Sequence, residues 1–323
     1  MSTQLKNAKT DIFQPLITEI KGHSLDDGNG IRSVIFFKGC PLACDWCHNP
    51  ETISPRATLS YDKNECMTFG DCIDVCEQQA LTPNNISFVN RDLCTLCGKC
   101  VETCTSEALT IIGKPMSVDD IIQHIIPYTP FYQSSGGGVT LSGGEATLYM
   151  DFCEALLKEL KKRDIHVVLE TSGYFNLQRF LQKLYPFVDQ IYFDIKIMDN
   201  ALHKKHCGQS NDRILENYTA LKQLADNNNV PLLPRIPLIP GITATKSNLT
   251  SIASFLTAQG ETQVSLLPYN PLWQEKAGKV GSFCNDNNSN NNGNNTINKS
   301  QSWLSKEDIE RCHRYFSHMQ IVN

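Results

Sequence analysis

RSVIFFKGCPLACDWCHNPET (residues 32–52) begins as a strand and ends in three cysteines. Four apolar residues in a row, 34–37, read as a strand covered on both faces. Cys40, Cys44 and Cys47 follow at once, and the next cysteine is Cys66. The same strand-then-polar-signal pattern recurs along the chain. Strand-like runs appear at GVTLS (138–142), HVVLET (166–171), QIYFDI (starting at Gln190), LLPRIP (232–237) and QVSLLP (263–268). Helical patterns lie between them: SVDDIIQHII with Ser117 as N-cap, DFCEALLKELKK, LQRFLQKL, RILENYTALKQLA and KSNLTSIASFL. Six strand–helix units predict an α/β fold with a parallel sheet and right-handed crossovers. Closure as a partial (β/α)6 barrel is expected, with a doubly wound sheet as the alternative.

The 323 residues carry a net charge of −5 and a pI near 5.9, which argues against nucleic acid or an anionic membrane as partner. No apolar run approaches the ~20 residues of a membrane span, and the N-terminus lacks a secretory apolar segment, so a cytoplasmic protein is expected. Fourteen cysteines in a reducing compartment read as metal ligands rather than disulfides. Cys153, Cys207, Cys284 and Cys312 have no metal-like spacing and are expected as packing or surface thiols. The asparagine-rich tract at 285–297 is expected as a disordered insertion before a last helix, LSKEDIERCHRYF.

Seven cysteines crowd into residues 66–104, which contain an internal repeat. CMTFGDCIDVCEQQALT (66–82) and CTLCGKCVETCTSEALT (94–110) superpose at a constant offset of 28 residues. Phe69 stands where the second copy has Cys97. Units this short cannot fold around an apolar core alone. The expected organisation is residues 15–55 as the first βα unit and cysteine loop, 56–114 as an insert, and 115–323 as the rest of the barrel.

The polar signals share one location. The three cysteines follow strand one; SGGE (142–145), ETSG (170–173), DIK (194–196), RIPLIPG (235–241) and LPYN (267–270) end the next five strands. In parallel barrels those ends converge on one mouth, where catalytic groups gather. Each signal alone has a plainer reading: a tight turn for Gly143-Gly144, a first-turn acid for Glu145, a surface ion pair for Asp194 and Lys196, a turn former in Asn270. Zinc would fit the cysteines poorly, since its ligands come in spaced pairs and adjacent Cys47 and His48 chelate badly. A cubane iron–sulfur cluster on three thiolates leaves one iron open for a substrate or cofactor.

CPLACDWC (40–47) has the C-x3-C-x2-C spacing of radical S-adenosylmethionine (SAM) enzymes. DGNGIRSVIFFKGC (27–40), CHNPET (47–52), PFYQSSGGGVTLSGGEA (130–146) and LLPYN (266–270) extend the match. The chain resembles the activating enzymes of glycyl radical enzymes, the pyruvate formate-lyase-activating family. That resemblance implies a 4Fe-4S cluster on Cys40, Cys44 and Cys47, with the open iron chelated by SAM. Trp46, Cys47, His48, Gly144, Asp194, Ile195, Lys196 and Asn270 would contact the cofactor. Asn270 replaces the family's usual histidine, Asn29 its proline, and Glu170 stands where short activases have aspartate. One electron from reduced flavodoxin or ferredoxin would cleave SAM to methionine and a 5′-deoxyadenosyl radical. That radical would take a hydrogen from a glycine of a partner protein, an oxidoreductase of the formate C-acetyltransferase-activating type. A radical SAM enzyme acting on a small molecule is the alternative.

The run at 94–104 has ferredoxin spacing, in which the fourth cysteine ligates the other cluster of a pair. Cluster one would take Cys94, Cys97, Cys100 and Cys76; cluster two would have Cys66, Cys72 and Cys104, with Phe69 vacating the fourth place. Cluster two is then a three-iron centre, a cubane with an outside ligand, or absent. Electron relay or donor docking is the expected role, against a purely structural metal knot.

Overall fold

A computed structural model describes residues 13–85, 87–228, 230–282 and 303–322. Cys284 and the asparagine tract lie outside them. The strands are β1 (Leu16–Ser24), β2 (Arg32–Phe37), β3 (Thr58–Tyr61), β4 (Leu109–Ile112), β5 (Lys114–Pro115), β6 (Gly138–Gly143), β7 (His166–Thr171), β8 (Gln190–Asp194), β9 (Leu232–Leu238), β10 (Gln263–Pro268) and β11 (Gln320–Ile321). The main sheet runs β11-β10-β9-β8-β7-β6-β2-β1-β5. The six expected strands are all present, neighbours in chain order and mutually parallel. A doubly wound sheet reverses its order at a switch point, and this one does not. Consecutive crossovers of one hand put the crossover helices on one face, as in an open barrel.

Three strands of the main sheet went unanticipated, as did β3 and β4 of the insert. β1 and β5 extend the sheet antiparallel beyond β2, and β11 adds to β10. β1, LITEIKGHS, is a half-exposed strand whose polar residues dilute the apolar signal. β9 carries two prolines inside the sheet. Arg235 O accepts from Ile195 N at 2.9 Å, so residue 237 also faces β8, whose ladder has already ended at Asp194↔Arg235. Pro234 faces β10, whose ladder begins only at Ser265↔Arg235. Neither missing N–H breaks a rung.

The helices Val118–Ile125, Met150–Lys161, Leu177–Lys183, Asp212–Asn228, Lys246–Ala258 and Lys306–His313 occupy the expected segments. Ser117 caps the first in a reciprocal box with Asp120. Helices Asn200–Cys207 and Trp273–Lys279 escaped notice; NALHKKHC buries only His203 and Cys207. Strand alternation sorts the sheet's two faces. Val139, Leu141, Val167, Leu169, Ile191 and Phe193 pack into the core with Leu156 and Leu160. Their neighbours in sequence, Thr140, Ser142, Glu170, Tyr192 and Asp194, point to the other side. Arg32, fully buried, ties the strand starts together by donating to Thr140 Oγ1 at 2.7 Å and Val139 O at 2.7 Å. Burial pushes its guanidinium down to about 10.

Residues 58–112 form a separate two-stranded sheet, β3 against β4, over a small core of Leu59, Leu81, Val89, Cys100 and Leu109. The repeat is reproduced in the backbone. Positive φ occurs at Thr68 and Leu96, at Gly70 and Gly98, and at Gln79 and Glu107, each pair 28 residues apart. The Leu81↔Val89 bridge repeats the Tyr61↔Leu109 pair of β3 and β4 by the same shift. The unit contacts the helix Trp273–Lys279, where Lys279 pairs with Asp62 at 2.7 Å and Arg91 donates to Lys279 O at 3.3 Å. Lys276 of that helix reaches Asn49 Oδ1 at 3.2 Å and Glu51 Oε1 at 3.4 Å, so one short helix touches both the insert and the loop after Cys47. Among the described residues no helix is long and apolar enough to cross a membrane.

Candidate functional site

The cysteine loop folds back on itself: Gly39 N donates to Thr52 O at 2.6 Å and Cys40 N to Ile53 O at 3.0 Å. Its outer half rests on the end of helix Asn200–Cys207. Ala43 N donates to Cys207 O at 2.9 Å, Asp45 N to His206 O at 3.0 Å, and the His206 ring meets Asp45 Oδ2 at 2.9 Å. Carbonyls orphaned at the helix C-terminus thus hold the loop. Cys207 is fully buried and belongs to the apolar cluster against which Cys44 packs. The neighbouring Cys207 thiol, then burial, pushes the Cys44 thiol well up. Burial, with Cys44 beside it, pushes Cys47 up to about 12; burial and the nearby Glu145 raise Cys40. Such thiols stay protonated unless a bound cation takes the proton's place.

The double glycine packs against this loop. Gly143 has φ +99, and a Cβ on Gly144 would stand 2.2 Å from Gly39 O and 2.9 Å from Thr52 O. Gly144 N donates to Phe37 O at 2.8 Å and Glu145 N to Gly39 O at 2.8 Å. A side chain at 144 would push the cysteine loop away, so protein packing alone already demands glycine there. Glu145, 1 % exposed, goes beyond a first-turn acid. It accepts from Thr147 Oγ1 at 2.8 Å, Thr171 Oγ1 at 2.9 Å, Ser172 N at 2.8 Å and Ser172 Oγ at 2.6 Å, fastening the end of β6 to the end of β7.

Beside the loop runs a chain of alternating charge. Lys196 Nζ donates to Asp194 Oδ2 at 2.9 Å; Arg235 Nε donates to Asp194 Oδ1 at 3.0 Å and Nη1 to Glu170 Oε1; Ser142 Oγ donates to Glu170 Oε2 at 2.5 Å. Four strands contribute, and the Arg235 head also lies 5.2 Å from the Tyr192 ring centre. Asp194 and Lys196 are therefore no surface pair. Burial alone would raise Asp194, but Lys196 and Arg235 outweigh it and hold the carboxyl low. Burial alone would lower Lys196, but Asp194 and then Cys44 outweigh it and hold the ammonium high. The network reaches the cysteine loop at that point.

The remaining expected residues divide. Trp46, 4 % exposed, packs with Ile197, Ile239, Tyr269 and Trp273, where Trp273 Nε1 donates to Tyr269 OH at 3.0 Å. His48 lies at the surface. Ile195 keeps its side chain in the main core, so only its backbone borders the site. Asn270 Oδ1 accepts from Leu272 N at 2.9 Å, a turn-forming bond that leaves its NH2 to donate elsewhere. Glu51 Oε2 is buried near Cys47 without a hydrogen-bond partner. Among the described residues no three His, Cys, Asp or Glu side chains converge on a point that could hold a single metal ion. Three desolvated thiols, a glycine-bared backbone and an unfilled acceptor fit a multi-iron cluster, which takes its thiolates at separate corners.

A family model described as the radical SAM superfamily matches residues 34–246, from β2 to the start of helix Lys246–Ala258. This chain is a radical SAM protein. Its relatives narrow the family to activating enzymes of glycyl radical enzymes, to which the chain belongs. It is 39% identical over 272 residues to the trans-4-hydroxy-L-proline dehydratase activating enzyme of Clostridioides difficile, spanning 83% of this chain and 88% of that one. It is 38% identical over 280 residues to the benzylsuccinate synthase activating enzyme of Thauera aromatica, spanning 83% of each. A radical SAM methyltransferase from Sphaerobacter thermophilus shares the fold at a TM-score of 0.52 and 12% identity, across 96% of this chain and 76% of that one. The family works with a 4Fe-4S cluster and SAM, and its activating enzymes have glycyl radical enzymes as protein substrates.

In the insert, a cavity of ≈ 60 Å³ is lined by Cys76, Cys94, Cys97 and Cys100 with Leu59 and Leu81. Burial and the other three thiols push Cys100 up to about 11. Cys72 is raised by burial and then by Cys104 and Cys66. Four of the cysteines thus line one cavity, and Cys66, Cys72 and Cys104 neighbour one another. Cys207, the Glu145 clamp and the Arg235–Glu170 pair were missed as site elements. Only the strand-end positions of Glu145, Glu170 and Arg235 hinted at them.

Proposed function

We propose that this chain installs a glycyl radical on a pyruvate formate-lyase-like partner enzyme, in the cytoplasm and without oxygen. The observation that carries the reading is the meeting of three half-buried cysteines, the double glycine and the Asp194–Lys196 pair at one end of a parallel sheet. In this reading Cys40, Cys44 and Cys47 hold a 4Fe-4S cluster, and Trp46, Cys47, His48, Gly144, Asp194, Ile195, Lys196 and Asn270 contact SAM. Bound together, cluster and SAM supply a one-electron reductive cleavage that delivers a carbon-centred radical. The protein's part is placement. Glu145 and the helix end at Cys207 fix the cysteine loop; Asp194, held ionised, accepts from hydroxyl or ammonium donors; Lys196 faces carboxylate; the Trp46 cluster excludes water. Residues 56–114 form a ferredoxin-like domain within a partial (β/α)6 barrel, carrying one or two further clusters. Its contact with the helix Trp273–Lys279, which also touches the cysteine loop, suits it to pass electrons from reduced flavodoxin or ferredoxin. Neither nucleic acid nor membrane takes part.

The test is anaerobic reconstitution with iron and sulfide, then dithionite and SAM. Release of 5′-deoxyadenosine, with a glycyl radical signal on a co-expressed glycyl radical enzyme, is expected. A loop that binds zinc and no sulfide would overturn the reading; 5′-deoxyadenosine without a radical on any such partner would move it to a small-molecule substrate.

A further inference from the structure

The insert presents two thiol groups related by its repeat, and one is incomplete. Cys94, Cys97, Cys100 and Cys76 gather around one cavity. Shifted by 28 residues, those positions become Cys66, Phe69, Cys72 and Cys104. The backbone around both groups matches in its positive-φ residues, in the helices Asp71–Asp74 and Lys99–Thr103, and in the bonds Cys76 N to Ile73 O and Cys104 N to Val101 O. Donors apart, the second group repeats the first one's backbone. Cys97 is an exposed thiol, and Phe69 is exposed at 69%. The corner without a ligand therefore faces water, and a phenyl ring has no lone pair to offer there.

We propose that Cys66, Cys72 and Cys104 hold a three-iron, four-sulfide cluster whose missing iron is the one a thiolate at position 69 would have bound. The inference rests on the iron–sulfur reading of the insert given above. A fourth iron at that corner would be held by inorganic sulfides and solvent alone, with no protein anchor against exchange. A cysteine introduced at position 69 would lose its thiol proton to water and bind one ferrous ion, which the three-iron cluster in its one-electron-reduced state, as formed during reductive reconstitution, takes up to complete the cube.

The barrel's own three-cysteine loop gives a similar signal when its open iron is lost, so the test removes it. The full chain carrying Cys40→Ser, Cys44→Ser and Cys47→Ser is reconstituted without air, then oxidised mildly with ferricyanide. About seven irons per chain and the near-isotropic EPR signal of an oxidised three-iron centre are expected. Adding Phe69→Cys should abolish that signal and raise the count to about eight, whereas Phe69→Ala should change neither. About eight irons without the signal before that change means a solvent- or carboxylate-bound cubane and overturns the proposal. About four irons means an empty group and also overturns it. No iron overturns both this proposal and the electron-relay role, while SAM cleavage by the unaltered enzyme reports separately on the barrel. Where the triple variant does not fold, the unaltered enzyme serves: SAM should perturb the barrel cluster's signal and leave a three-iron signal unchanged, and absence of that unchanged signal overturns the proposal.

Discussion

Two places in this molecule set three cysteines where a cubane has four corners, and their surroundings are opposite. Cys40, Cys44 and Cys47 sit on a loop gripped by the double glycine, by Glu145 and by the end of helix Asn200–Cys207, next to a half-buried chain of four charges. Cys66, Cys72 and Cys104 sit on a small unit whose fourth position is an exposed phenylalanine. Equal donor sets thus have unequal prospects. An open corner against oriented, partly desolvated charge is a ligand site, whereas one against bulk water is a defect. The environment separates them, through desolvation and fixed dipoles rather than ligand count.

The largest contrast comes from deleting thiols. Cys47→Ser should abolish SAM cleavage and spare the insert's iron, whereas Cys66→Ser should leave dithionite-driven cleavage intact; 5′-deoxyadenosine yield and iron content read both. Equal losses from the two changes would break the comparison. Next comes the charge chain. Arg235→Met strands Asp194 and Glu170 without their shared cation, and should cost about 3–5 kcal/mol in chemical unfolding as well as SAM affinity. Breaking the insert's Lys279–Asp62 contact by Lys279→Met should cost about 0–1 kcal/mol, because that pair is partly solvated.

The glycines sharpen the contrast at smaller scale. Gly144→Ala drives a methyl into Gly39 O and should cost about 1–3 kcal/mol while lowering iron bound at Cys40, Cys44 and Cys47. Gly70→Ala in the insert meets open space, so only its left-handed backbone resists, at about 1 kcal/mol with iron unchanged. A comparably small effect belongs to Cys207→Ala. Loss of the thiol beside Cys44 should cost about 1 kcal/mol and, if that thiol donates to the Cys44 sulfur, lower the barrel cluster's reduction potential, read by EPR redox titration; an unchanged potential would show that the contact is packing only.

The six parallel strands were legible because continuous apolar runs such as Val34–Phe37 and Val167–Leu169 have few other uses. β1 was not, because a strand with one wet face spells an alternation that short polar segments also spell. Rim positions were legible for Cys40, Gly144, Asp194 and Lys196, since strand ends can be counted. Roles were less so. Glu145 read as a helix-start acid and turned out to clamp two loops; Gly144 read as room for a cofactor and is first of all room for Gly39 O.

By itself the sequence determined the periodic burial of each strand, the spacing of the cysteines and the 28-residue duplication with its flaw at Phe69. These are local properties, written in consecutive side chains and in the turns that link them. The tertiary structure alone decided that Arg235 would bridge Asp194 and Glu170, and that Cys207 would meet Cys44 across more than half the chain's length. Partners so distant are chosen by strand order and helix docking, which depend on how every layer packs at once, and no short stretch records that.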